Sequence, residues 1–123
     1  MKVTFFAQIL ALASLALGAP HPSDPETTAA KGRATWFHPA LGACGWNHGD
    51  GDMITAVSHI RFDAFRPCGR NIRVKGPAGE AVVTVVDRCT GCARDDLDLS
   101  PVAFKKTVGD LGKGHDQVSW GWA

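Results

Sequence analysis

The sequence predicts a small, mainly β domain, a barrel rather than a sandwich of regular hairpins. Short runs rich in β-branched and aromatic residues alternate with turns rich in glycine and proline. One segment alone reads as a helix. It is inserted between the two most apolar strand regions, which argues against a simple up-and-down meander.

Taken in chain order, RATWFH (33–38) is the first strand, because threonine, tryptophan and phenylalanine favour extended backbone. PALGACGWNHGDGD is a loop with four glycines. MITAVSHI (53–60) is a second strand. NIRVKG alternates apolar and basic residues, the pattern of a half-buried strand. GPAGE is a turn. AVVTVVD (81–87) is almost wholly β-branched and reads as a central, buried strand. SPVAFKKTV is a short helix, with Ser100 as N-cap, Pro101 at the first helical position, the lysines late, and Gly109 placed to stop it. QVSWGW (117–122) alternates again and closes the domain.

The first 18 residues read as a signal peptide: Lys2 supplies the basic start, FFAQILALASLAL the apolar stretch, and Ala16-Leu17-Gly18 the small residues of a cleavage site. The apolar stretch is shorter than the roughly 20 residues a bilayer needs. Residues 19–31, APHPSDPETTAAK, carry three prolines and no apolar periodicity, as expected of a disordered leader. The folded unit is therefore expected over 32–123, outside the cell and free of any membrane once the signal peptide is removed. So short a unit is only marginally stabilised by burial. Its four cysteines, Cys44, Cys68, Cys89 and Cys92, read as two disulfides in a secreted domain, and their spacing leaves the pairing open. A net charge of +1 gives no electrostatic case for nucleic acid. No metal site, cofactor motif or nucleophile elbow is found.

ATWF, GACG, MITAV, PCG, IRV, VVDRCTGC, LDLSPVAF and VSW follow one another in this order. Together they resemble the RlpA-like double-psi β-barrel domain of expansins and barwin. The likeness is strongest to the small secreted fungal expansin-like proteins of loosenin type and to the papain-inhibitor-like proteins. It spans 32–123 and implies a six-stranded double-psi β-barrel with one or two short helices. It implies that Cys44 pairs with Cys68, which leaves Cys89 with Cys92. It also implies a shallow sugar-binding groove holding Thr35 of the first strand, Asp87 at the end of the central strand and Asp98 of the DLS motif. Two departures bear on activity. Cys89 stands where bacterial expansins carry an aromatic residue. Trp36-Phe37-His38 offers no carboxylate where related endoglucanases carry a catalytic base.

Glycoside hydrolysis uses two carboxyl groups about 5–9.5 Å apart, one of them a proton donor. Asp98 is the candidate catalytic acid. Its place just before a helix N-terminus favours the charged form, whereas burial, or Asp87 within about 4–6 Å, would raise its pKa against the opposing Arg88 and Arg94, so one protonated carboxyl is permitted and not demanded. A charged pair beside Thr35 suits hydrogen bonds to sugar hydroxyls without bond cleavage. The structural alternative makes Asp87 a partner of Arg88 or of backbone N–H groups, and Asp98 a helix-capping residue. Asp95 and Asp96 are expected to be solvated loop residues. Trp46, in the glycine-rich loop, is the exposed aromatic candidate for sugar stacking. Trp36 and at least one of Trp120 and Trp122 are expected in the core. NHGDGD (47–52) reads as a polar turn, and His38, His48 and His59 as loop or surface residues.

The expected protein is a monomer that binds and loosens cell-wall polysaccharide, cellulose or chitin, without hydrolysis. A module that inhibits a secreted cysteine protease through loops 39–52 and 90–97 is the first alternative. A glycan-cleaving lytic transglycosylase or endoglucanase is the second.

Overall fold

A computed structural model describes residues 29–123. The signal peptide expected over 1–18, and the leader up to residue 28, lie outside the described residues. The strands are β1 (Ala30–Trp36), β2 (Ile54–Ser58), β3 (Asn71–Gly76), β4 (Gly79–Cys89), β5 (Leu97–Leu99) and β6 (Asp116–Trp122). Two helices, α1 (His59–Phe65) and α2 (Pro101–Thr107), and a 3-10 turn at Leu111–Lys113 complete the described residues.

The six strands close into a barrel in the order β1-β5-β2-β4-β3-β6. β1 runs parallel to β5 and β2 parallel to β4, and the other neighbours are antiparallel. The mainly β, six-stranded barrel read from the sequence is the fold observed. Alternation sets what each strand buries. In β3, Ile72 and Val74 point inward while Arg73 and Lys75 face solvent. Val57, Val83, Val85, Leu97 and Leu99 join them in the core, with Phe104 of α2 inserted among them. Each such side chain contributes about 1.5–3 kcal/mol relative to exposure.

The helix read at 100–108 is present as α2. Ser100 caps it by accepting the Ala103 N–H, and its own hydroxyl donates to the Asp52 carbonyl at 2.6 Å. The last helical residue is Thr107, with Val108 as the C-cap, so the helix ends just ahead of Gly109.

Three elements differ from expectation. β1 begins at Ala30, so the strand takes in the last two residues of the stretch read as leader. MITAVSHI is not one strand: β2 ends at Ser58, whose side chain accepts the Arg61 N–H and starts α1. That makes His59 a helical, half-buried residue rather than a loop residue. β5 was not among the elements read from the sequence. Three residues are too few for a periodic signal, and β5 exists because β1 and β2 flank it on both sides.

Cys44 pairs with Cys68 and Cys89 with Cys92. The first bridge joins residues 24 apart and, on a chain-entropy account, is worth about 3 kcal/mol. It ties the 39–52 loop to the segment entering β3. The second closes a very short loop at the end of β4.

Candidate functional site

β5 is the hinge of the site because it lies between β1 and β2. Asp98 is opposite Thr35 on β1 and opposite Ala56 on β2. Ala56 in turn is opposite Asp87 on β4. Thr35, Asp98, Ala56 and Asp87 thus form one transverse row across four adjacent strands. The row runs outside the core, whose inward-facing neighbours are Ala34, Val57, Leu97 and Leu99. Ala56 is the small residue in its middle, 3% exposed, and forms the floor between the two aspartates.

Asp87 reaches this row through an irregularity. Val83 and Val85 point into the core, and strict alternation would send Asp87 after them. Between β2 and β4 the register slips: Thr55 is opposite Val85, but Ala56 is opposite Asp87. Val86 is the extra residue of a β-bulge, which re-aims the side chain that follows. The 39–52 loop clamps this bulge. Cys44 N–H donates to the Val86 carbonyl at 3.2 Å. Ala43 N–H donates to Asp87 Oδ1 at 2.8 Å, and Arg88 N–H donates to the same oxygen at 2.8 Å. Gly42 is required here, because a Cβ on it would lie 2.5 Å from the Val86 carbonyl oxygen. Asp87 therefore accepts backbone N–H groups, one of the two structural roles expected of it. The other is not seen: the Arg88 guanidinium forks onto Asp63 of α1.

Asp98 does not cap α2. Ser100 does, and the Asp98 side chain turns to Thr35, whose hydroxyl donates to Oδ1 at 2.8 Å. Burial pushes the Asp98 carboxyl above the usual carboxylate range. The Thr35 hydrogen bond acts against that shift, and the nearby Asp87 charge adds to it. Of the two opposing influences weighed in the sequence, burial with the Asp87 charge outweighs the helix terminus and the arginines. The N–H of Ala103 in the first turn goes to Ser100, and the two arginines point elsewhere: Arg88 to Asp63, and Arg94 toward Asp95 at 3.8 Å.

Asp95 and Asp96 are half-exposed loop residues, as expected, but their side chains are bonded rather than free. Asp95 Oδ1 accepts Arg61 Nε and Nη2 at 3.0 and 2.7 Å. Asp96 accepts the N–H groups of Arg33 and Ala93, both at 3.0 Å. Ser58 Oγ donates to the Arg94 carbonyl, and the indole N–H of Trp120 donates to the Asp95 carbonyl. These bonds fix the segment that leads into β5. A Cβ on Gly32 would come within 2.0 Å of the Asp95 carbonyl oxygen, so β1 passes beneath the segment only with glycine there.

Trp46 is 45% exposed, and the edge of its ring lies over Gly69. Its carbonyl accepts the Gly42 N–H, so it belongs to the loop that holds Asp87. Trp120 is core and Trp122 half-buried beside it, their rings edge to face at 5.5 Å. Trp36 packs against the core and donates its indole N–H to the Leu111 carbonyl. His38 is exposed and bonds both carboxylate oxygens of Asp50 at 3.0 Å, whereas His48 is half-buried. Sequence reasoning missed Ala56 and Arg61. A lone small residue in an apolar strand signals the first; nothing local signals the second, whose partner is 34 residues away.

Residues 29–120 match the family model described as lytic transglycolase, a double-psi β-barrel. Expansin-like protein 2 of Dictyostelium discoideum is 34% identical over 89 residues, which cover 63% of this chain and 22% of that protein. A mutant expansin of Clavibacter michiganensis, crystallised in complex with cellohexaose, superposes with a TM-score of 0.71 at 31% identity. That match covers 78% of this chain and 50% of the expansin. The Streptomyces papain inhibitor shares the fold with a TM-score of 0.67 at 24% identity, over 78% of this chain and 94% of the inhibitor. The chain thus spans half or less of the two expansin relatives.

Proposed function

The chain belongs to the RlpA-like double-psi β-barrel family, and on that premise we propose that it is a secreted expansin-like protein that binds cell-wall glycan, cellulose or chitin, and loosens it without cleaving it. The observation that carries this reading is the row Thr35–Asp98–Ala56–Asp87. It sets a hydroxyl and two carboxyl groups across four neighbouring strands, with a small apolar residue between the acids. Strands lie about 4.8 Å apart, so the row spans roughly 14 Å. That is the reach of an extended oligosaccharide, not of a single small ligand. Carboxyl and hydroxyl groups both hydrogen-bond sugar hydroxyls. Trp46, exposed on the loop at the Asp87 end, adds an aromatic face for a sugar ring.

The likeness to the cellohexaose-bound expansin supports the polysaccharide as ligand. Secretion is supported by the basic and apolar start of the chain and by two disulfides in so small a domain.

Cleavage is a second reading, favoured by one observation. Burial holds the Asp98 carboxyl toward its protonated form, as a general acid requires. Hydrolysis would also need a base able to activate water. Asp87 is committed to two backbone N–H groups on one oxygen, and Trp36-Phe37-His38 brings no carboxylate.

Retention of the purified protein on insoluble cellulose, chitin and xylan tests both readings, wild type beside Asp98→Ala. Binding to one polymer is expected, weakened about tenfold or more in Asp98→Ala, with no soluble sugar released by either protein. Soluble products that depend on Asp98 establish cleavage instead. No retention on any polymer overturns the glycan reading.

A further inference from the structure

Two carboxyl groups share the outward row with no cation to balance them. Neither Asp87 nor Asp98 is in an ion pair among the described residues. The arginines close to them in sequence are drawn away, Arg88 to Asp63 of α1 and Arg94 toward Asp95. Arg33, two positions back from Thr35 on β1, is exposed and bonds neither acid. Lys31, Arg73 and Lys75 stand on β1 and β3 where these flank β6. The charge that bears on Asp98 is that of Asp87, and it repels.

The hydrogen-bonding groups of the row are as one-sided as its charge. Among Thr35, Asp98, Ala56 and Asp87 the Thr35 hydroxyl is the one side-chain donor, and its proton goes to Asp98 Oδ1 at 2.8 Å. Asp87 takes the Ala43 and Arg88 N–H groups on Oδ1, and its Oδ2 accepts nothing among the described residues. Oδ2 of Asp98 is open in the same sense. With both acids ionised the row therefore presents acceptors alone. β2 lies between the two acids, so their backbones are two strand spacings apart, roughly 10 Å.

We propose that this row selects, among β-1,4-linked glycans, a polymer of glucosamine, whose units carry a free ammonium group, over neutral cellulose and over fully acetylated chitin. The preference rests on the reading of the row as a glycan groove. An ammonium has three donors and no acceptor, the inverse of the row. Its bonds to carboxylates are charge-assisted and about twice as strong as neutral ones. A glucose hydroxyl brings no charge, and an acetylated amine brings a carbonyl for which the row has no free donor. Alternate units of an extended β-1,4-linked chain turn the same edge to one side, so amines on alternate units match two acids with one strand between them. Burial and the Asp87 charge favour a proton on Asp98, and an ammonium beside it draws the carboxyl back to the anion.

Calorimetric titration of the purified protein compares hexamers of glucosamine, N-acetylglucosamine and glucose at one pH at which the amines are charged. The glucosamine hexamer is expected to bind about tenfold tighter than either neutral hexamer, because charge-assisted bonds replace neutral ones at two positions. That advantage is expected to shrink with rising salt. Asp87→Asn with Asp98→Asn keeps the shape of both side chains and leaves the Ala43, Arg88 and Thr35 donors an acceptor, and the three hexamers are expected to approach parity on it. The Asp98 carboxyl resonance is expected to titrate lower in the glucosamine complex than in the free protein. Equal or tighter binding of a neutral hexamer overturns the preference and leaves the glycan groove standing. An advantage undiminished in the double variant places the effect off the row and overturns the preference. Hexalysine bound as tightly as the glucosamine hexamer reduces the effect to charge alone and overturns it as well. No binding of any hexamer overturns the glycan groove and the preference with it.

Discussion

The Asp98 carboxyl accepts one hydrogen bond from its surroundings, from Thr35, against a burial that favours the proton. Its titration, followed by the side-chain carbon resonance, is expected above the ordinary 3.8. Two substitutions move it in opposite directions. Thr35→Val removes the donor that stabilises the anion and raises the midpoint further. Asp87→Asn removes a neighbouring negative charge and lowers it. Equal midpoints in all three proteins would remove the row's electrostatic coupling. The sign for stability follows from linkage. Above 3.8 the unfolded chain has lost this proton while the native state still holds it, so stability falls as pH rises through the raised native value. Asp98→Asn should therefore gain stability near neutral pH and gain less below 3.8. Thr35, Asp87 and Asp98 were legible because each sits in a distinctive local motif. The link of Asp95 to Arg61 and that of Asp96 to the Arg33 N–H were not, since those partners lie far off in sequence and meet them only in the closed barrel.

At the scale of elements, β5 and the segment before it carry the site, and their support comes from α1. The Arg61 guanidinium bridges Asp95 and lies over the Trp120 ring at 4.9 Å. Arg61→Met keeps much of the side-chain volume and removes the donors. It should destabilise the protein by about 1–3 kcal/mol in urea titration, because a half-buried Asp95 is left without its partner. Arg61→Lys should recover only part, since an ammonium does not reproduce the fork. No change in either variant would detach the 90–96 segment from the barrel's stability. β3 and β6 were legible because alternation over about six residues is a strong signal, and β4 because 81–87 is almost wholly β-branched. α1 was hidden because Ser58 both ends a buried strand and caps a helix, and the apolar ITAV before it dominates the pattern. The Val86 bulge was hidden for another reason. It is a relation between β2 and β4, and nothing in VVTVVD alone marks which valine is extra.

The whole molecule has two faces. One holds the two acids and Thr35 across β1-β5-β2-β4, and the other gathers cations over β1-β6-β3. A net charge of +1 does not say how charges are distributed over these faces, and composition excluded only a uniformly basic protein. The barrel's closure makes the arrangement possible, since one small core supports outward rows on opposite sides. The 39–52 loop, pinned by Cys44–Cys68 and by the N–H groups of Cys44 and Ala43, which donate to the Val86 carbonyl and the Asp87 carboxylate, keeps the acidic face in shape.

The most direct measurement of the central claim is an amide-resonance map of the labelled protein titrated with soluble oligomers of cellulose and of chitin. Shifts that centre on Thr35, Ala56, Asp87 and Asp98, and extend to the Trp46 indole, are the expected result for one of the two sugars. Shifts confined to β6 and Trp122, or none with either oligomer, would contradict a glycan groove at Asp98.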